Sequence, residues 1–185
     1  MAFILSGATV ISYAEALDVR DKDQRITEAN EIDFTNVPDT PGSLDNYIED
    51  LTTKATGRIN AKIKASSRWK EYLAYTGTSF DINTVPAFVP ERIVARKADF
   101  TDMCAYATLY MYLLPKVADF GNPESAEVQK IQYYEKRFND LFDELMSDFT
   151  WYDADDSGTV TDAEKMVRYQ LTRRTRSKRA TARVM

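Results

Sequence analysis

The sequence predicts a mainly α protein, a small helical bundle with long central helices, an EF-hand-like loop and a basic C-terminal arm. Three observations predict it. Between residues 44 and 149 apolar side chains recur every three or four positions, the period of one helix face. The six prolines fall outside those runs, where they do not break a hydrogen-bond ladder. Beyond the last run comes an oxygen-rich twelve-residue segment, and then a stretch with basic residues and no acidic ones.

Residues 1 to 42 are weakly patterned and read as an N-terminal arm with loops. They contain short helix candidates at Tyr13 to Leu17 and around Asp23 to Asn30, with Asn36-Val37-Pro38-Asp39-Thr40-Pro41-Gly42 as a loop. From Ser43 the period becomes helical. Leu44, Ile48, Leu51, Ala55, Ile59, Ile63, Trp69 and Leu73 form one stripe, with Ser43 as cap and Asp45 in the first turn. This predicts a helix over Leu44 to Tyr72, interrupted near Ser66-Ser67. A loop with Gly77, Pro86 and Pro90 follows. The next helix is expected from Glu91 to Leu114, carrying Ile93, Lys97, Phe100, Cys104, Ala107, Met111 and Leu114 on one face and ended by Pro115. Its second half is apolar nearly all round, which places it at the centre of the bundle or of a subunit interface. Asn122-Pro123-Glu124 reads as a helix start, and Val128, Ile131, Tyr134, Phe138, Leu141 or Phe142, Leu145 and Phe149 carry that helix to about Thr150. Strand candidates are minor. The chain divides into a body, 1–150, with its helical core at 43–150, and a C-terminal unit, 151–185.

A chain of 185 residues, 44% apolar and 29% charged, can bury one core and has the balance of a folded protein. No stretch approaches the roughly 20 uncharged apolar residues of a membrane span. The opening Met1-Ala2-Phe3-Ile4-Leu5-Ser6-Gly7 lacks the basic and apolar regions of a signal peptide. The expectation is a cytosolic product. Cys104, the single cysteine, lies in an apolar run and reads as a small core residue. The chain has no histidine, which excludes Ser-His-Asp, Cys-His and zinc-hydrolase schemes, and no spacing argues for carboxylate or lysine catalysis. The expectation is that the protein is not an enzyme. Charge is asymmetric: eight of the 24 Lys and Arg lie in 165 to 185 without an acid, and the preceding residues carry the other 16 against all 29 Asp and Glu. Such a tail suits an acidic or nucleic-acid partner, or it is a solvated terminus.

Asp153-Ala154-Asp155-Asp156-Ser157-Gly158-Thr159-Val160-Thr161-Asp162-Ala163-Glu164 has the spacing of an EF-hand calcium loop. Calcium takes six to eight hard oxygens. Asp153, Asp155 and Ser157 would wrap one side of the ion, and Gly158 would permit the sharp turn. Thr159 would offer its carbonyl, Thr161 would bind directly or through water, and Glu164 would close the sphere with two oxygens. Ser157 stands where Asp or Asn is usual, which lowers the ligand charge. Asp18-Val19-Arg20-Asp21-Lys22-Asp23 lacks the glycine and the closing glutamate, so it is not a second copy. A lone loop favours a structural calcium clip over a paired sensor. An acidic turn without metal is the other reading.

The order of these pieces resembles the head–tail connector (adaptor, neck) proteins of tailed bacteriophages. It is carried by Tyr47 to Ala61, then a proline-containing loop, then Ala105-Tyr106-Ala107-Thr108-Leu109-Tyr110-Met111-Tyr112-Leu113, then Val128 to Leu145 with Tyr133-Tyr134-Glu135-Lys136-Arg137-Phe138 at its centre. The resemblance spans residues 44 to 146 and is one of pattern more than of invariant letters. It implies a structural virion protein at the head–tail junction. Copies would form a ring, typically a dodecamer, between the portal protein and a downstream neck or tail protein, with DNA passing through the lumen. It also implies that the C-terminal arm, with Arg168, Arg173, Arg174, Arg176, Lys178, Arg179 and Arg183, docks on the portal. An acidic body suits a channel through which phosphates must slide. The 11 tyrosines suit subunit interfaces or an ordinary core equally. Two other classes remain open at this point, an EF-hand-type calcium-binding regulatory protein and a nucleic-acid-binding protein acting through its basic tail.

Overall fold

A computed structural model describes residues 3–24, 44–76, 85–162 and 164–165. The protein is mainly helical, with one two-stranded sheet among the described residues. That sheet is an N-terminal hairpin, β1 (Ile4–Ser6) and β2 (Thr9–Ser12), in a segment where only short helices were expected. Leu5 pairs with Val10 and Ser6 with Thr9, and the turn between them is made by Gly7 at φ +64, a conformation natural to glycine. Three and four residues are too few to show a period of two in the sequence.

The chain then enters the interior. Tyr13 and Ala14 are fully buried in non-helical backbone, so the first helix, α1 (Ala16–Lys22), begins later than the expected Tyr13. Its first turn is closed by Asp18, whose Oδ2 accepts from the Glu15 N–H at 2.9 Å. Of the second expected short helix, residues 25–30 lie outside the described residues, as does the Ser43 cap.

The long stripe is realised as two helices, α2 (Leu44–Ala65) and α3 (Ser67–Tyr75). Ile48, Leu51, Ala55, Ile59 and Ile63 are buried along α2, and Trp69, Tyr72 and Leu73 along α3. The break falls at Ser66, which leaves the helical region at ψ 139 and uses its hydroxyl oxygen to accept from the Arg68 N–H.

The third expected helix differs at both ends. Instead of starting at Glu91, the chain makes a 3-10 turn at Pro90–Arg92 and an extended stretch in which Ile93 bridges Tyr152. The Val94 N–H donates to the Trp151 carbonyl at 3.0 Å, and the Asp153 N–H to the Arg92 carbonyl at 3.0 Å. Pairing with a segment about sixty positions away outweighs the local helical period. Helix α4 (Lys97–Thr108) starts after Arg96, whose backbone is left-handed at φ 54. It widens into a π segment at Leu109–Leu113 and closes with a 3-10 turn at Leu114–Lys116. Pro115 has no N–H to offer the Met111 carbonyl, and a change of helical pitch next to a proline accommodates that loss.

Helix α5 (Ala126–Asp148) begins three residues after the expected Asn122-Pro123-Glu124 start. Asn122 shapes the preceding turn by accepting from the Glu124 N–H. The cap is Ser125, whose hydroxyl oxygen accepts from the Val128 N–H at 3.3 Å. Tyr134, Phe138, Phe142, Leu145 and Met146 are buried along α5, while Val128, Ile131 and Leu141 are half-buried. The helix stops at Asp148 rather than Thr150, because Phe149 turns left-handed at φ 53 and drives its ring into the core.

Helix α4 packs between α2 and α5. One part of the core joins Val19, Ile48, Leu51, Leu109, Leu113 and Tyr134. The other gathers Trp69, Tyr72, Phe88, Phe149, Trp151 and Tyr152, with Tyr72 stacked on Phe149 at 4.3 Å and Trp151 edge-on to Phe100 at 4.8 Å. A polar seam ties the N-terminal segment to α2 and α4. The Tyr13 N–H donates to Thr56 Oγ1 at 3.1 Å, and the Thr101 hydroxyl donates to the Tyr13 carbonyl at 2.8 Å. Cys104 is fully buried against Thr56 at 3.4 Å, a core residue as expected, and burial pushes its thiol up to about 11. Among the described residues no helix is long and apolar enough to cross a membrane.

Candidate metal centre

The twelve-residue loop starts where the aromatic core ends. Trp151 and Tyr152 are buried, the Trp151 indole N–H donates to the Leu145 carbonyl at 2.7 Å, and the bridge to Ile93 holds Tyr152 in place. Asp153 follows directly and is 1% exposed, so the first expected ligand stands on a fixed base.

Two left-handed residues then fold the loop back, Asp156 at φ 63 and Gly158 at φ 86. Asp153 stabilises that bend, its two carboxylate oxygens accepting from the Ser157 N–H at 3.2 Å and the Gly158 N–H at 2.5 Å. Asp155 Oδ1 also accepts from the Ser157 N–H, at 3.0 Å. The result is a convergence of charge. Asp153, Asp155 and Glu164 each place a carboxylate oxygen within 4.8 Å of the others.

Glu164 is the most engaged group of the loop. Its Oε1 accepts from the Ala154 and Asp155 N–H groups at 2.7 and 3.1 Å, and its Oε2 from the N–H and hydroxyl of Thr161 at 2.8 and 2.9 Å. Burial acts to raise its pKa, but the hydrogen bonds from Thr161, Ala154 and Asp155 outweigh it and hold the carboxyl below its ordinary range. Thr161 and Glu164 are joined in both directions, since the Glu164 N–H in turn donates to the Thr161 carbonyl at 3.1 Å.

The remaining expected ligands are near but turned toward protein partners. The Ser157 hydroxyl donates to the Thr159 carbonyl at 3.0 Å, and the Thr161 hydroxyl faces Glu164. The structure therefore brings the three carboxylates together, with Ser157, Thr159 and Thr161 arranged as their hydrogen-bonding surroundings. All are hard oxygen donors, the chemistry that suits calcium.

Arg92 belongs to this centre and had no signal in the local sequence. Its guanidinium donates to the Ala154 carbonyl at 2.6 Å and lies 3.8 Å from the Asp156 carboxylate. Only the fold brings a residue sixty positions upstream onto the loop. Tyr72 is a second such residue. Its hydroxyl donates to the Tyr152 carbonyl at 3.3 Å, and burial, followed by the negative charge of Glu164, Asp153 and Asp155, drives its pKa upward.

The segment Asp18 to Asp23 forms most of α1 and makes no second loop. The basic residues Arg168, Arg173, Arg174, Arg176, Lys178, Arg179 and Arg183 lie outside the described residues. Comparison with protein-family models, with curated proteins and with solved structures finds no match to this chain.

Proposed function

We propose that this chain is a non-catalytic structural protein of the head–tail junction of a tailed bacteriophage. Copies form a ring under the portal, extend the DNA channel toward a downstream neck or tail protein, and grip the portal with the basic C-terminal arm. The observation that carries this reading is the packing of α4 between α2 and α5, three helices in the order the resemblance implies. They make a small bundle that serves as the ring's building block.

The loop adds a second element to the proposal, a structural Ca²⁺ site at the point where the body gives way to the arm. Asp153, Asp155 and Glu164 would hold the ion, with Ser157, Thr159 and Thr161 supplying the other oxygens. Bound calcium would screen three converging carboxylates and stiffen the exit of the chain. The buried Trp151 and Tyr152 on one side of the loop favour a clip over a hinge that opens a groove.

The test is an electron micrograph of the purified protein mixed with its candidate portal, in which a ring-shaped addition below the portal is the expected outcome. Turnover of a small molecule by the chain, or a monomer that never joins a portal, overturns the proposal. For the loop, terbium is the probe. Trp151 lies two positions from Asp153, so sensitised terbium emission is expected, with competition by calcium and loss in Asp153→Asn. A wild-type chain that gives no such emission overturns the metal site.

A further inference from the structure

We infer that copies of this chain meet head to tail, the Phe120 turn of one protomer seating in the hairpin groove of the next. The inference rests on the ring reading above and supplies the contact that builds the ring.

The groove lies between the hairpin and the turn that precedes α4. It has a volume of about 330 Å³ and is lined by Phe3, Leu5, Val10, Pro90 and Ile93, with the charged side chains Glu91 and Lys97 at its edge. The hairpin is tied to that turn, since the Val10 N–H donates to the Glu91 carboxylate at 2.9 Å, so the groove is preformed. Its wall is apolar yet open to water, with Leu5 57% exposed. The Lys97 ammonium lies 5.6 Å from the Phe3 ring, and no carboxylate among the described residues pairs with it.

The complementary feature is the turn between Lys116 and α5. Phe120 is 65% exposed, the most exposed large apolar side chain among the described residues. Beside it stands exposed Asp119, whose Oδ1 accepts from the Gly121 N–H at 2.9 Å and makes no ion pair among the described residues. A Cβ on Gly121 would lie 3.1 Å from that oxygen, so glycine lets the Asp119 carboxylate close over the turn without having to shift. The turn offers a phenyl ring with a carboxylate beside it; the groove offers an apolar floor with the Lys97 ammonium beside it, while its one carboxylate, Glu91, is engaged by the Val10 N–H.

Position decides between a contact within one chain and a contact between chains. Lys97 opens α4, and Phe120 follows the turn that closes the same helical run, which at 1.5 Å per residue puts the two about 25 Å apart. A chain cannot reach its own groove with its own Phe120. Among the described residues each copy therefore carries a knob and an unfilled groove, and such a heterologous contact adds copies until the assembly closes.

Disulfide trapping tests the contact on two exposed positions whose substitution leaves the core intact. A chain carrying both Leu5→Cys and Phe120→Cys is expected to give a ladder of covalent products longer than two chains, while either single variant alone does not. Products that stop at two chains overturn the head-to-tail arrangement. In sedimentation, Phe120→Ser and Lys97→Glu are each expected to weaken self-association about tenfold, and Lys97→Glu with Asp119→Lys to restore it. If the wild type assembles and neither variant weakens it, the contact is wrong and the ring reading stands. A wild type that neither self-associates nor adds a ring to the portal overturns both.

Discussion

Glu164 shows how much one side chain organises here. It receives four hydrogen bonds from three residues of its own loop, so a substitution that keeps its size but changes its donors disturbs both structure and ligation. Glu164→Gln presents an NH₂ group to the Thr161 or Ala154 N–H donors. It is expected to abolish terbium emission and to lower the melting temperature even in chelator, because a buried donor left without an acceptor costs about 1–3 kcal/mol. Cys104 is the other residue with a definite expectation. Burial pushes its thiol from 9.0 to about 11. The folded state thus holds this proton more tightly than the unfolded chain. The resulting stability is fully present below pH 9.0 and is lost as pH rises through about 11, by about 2–3 kcal/mol. Urea unfolding at several alkaline pH values should show a steeper loss for the wild type than for Cys104→Ala. Below pH 9 the thiol should react with a disulfide reagent only when the protein unfolds.

At the scale of elements, the boundaries of the helices are set by single side chains. Ser66 and Ser125 each spend a hydroxyl oxygen on a first-turn N–H. Replacing either by alanine is expected to cost about 1 kcal/mol in urea or thermal unfolding, since the freed donor must find water. Phe149 ends α5 in left-handed backbone and stacks on Tyr72, so it is both the stop and a core ring. Phe149→Ala should cost about 3–5 kcal/mol and should also weaken terbium binding, because the loop's aromatic base loses its support. The stripes along α2 and α5 were legible from their period. The starts of α4 and α5 were not. Residues 92–95 read as one more helical turn until their backbone pairs with 151–153, and Asn122 reads as a cap until Ser125 does that work three residues later.

For the whole molecule, charge and connectivity suggest a division of labour between an acidic body and a basic tail. Deleting residues 166–185 removes only positions beyond the described fold. The truncated chain is expected to keep its helical circular dichroism and melting temperature and, if the arm docks as proposed, to lose salt-sensitive binding to the portal. Loss of the fold on truncation would show that the tail belongs to the body. In the candidate site, the acidic spacing was legible because the three carboxylates that converge lie within one short segment of the chain. Arg92 and Tyr72 were illegible there, because nothing local records which distant residues will cover a loop.

What the sequence by itself determined is the helical character, the buried faces of α2 and α5, the core position of Cys104 and the convergence of three carboxylates after the last helix. All of these follow from spacing along the chain, which a helix or a short loop converts directly into proximity. Only the tertiary structure decided the N-terminal hairpin, the extended stretch before α4, the seam through Tyr13 and the placement of Arg92 on the loop. Each depends on a contact between segments far apart in sequence. The free energy of those contacts, not the local preference of either segment, selects the conformation.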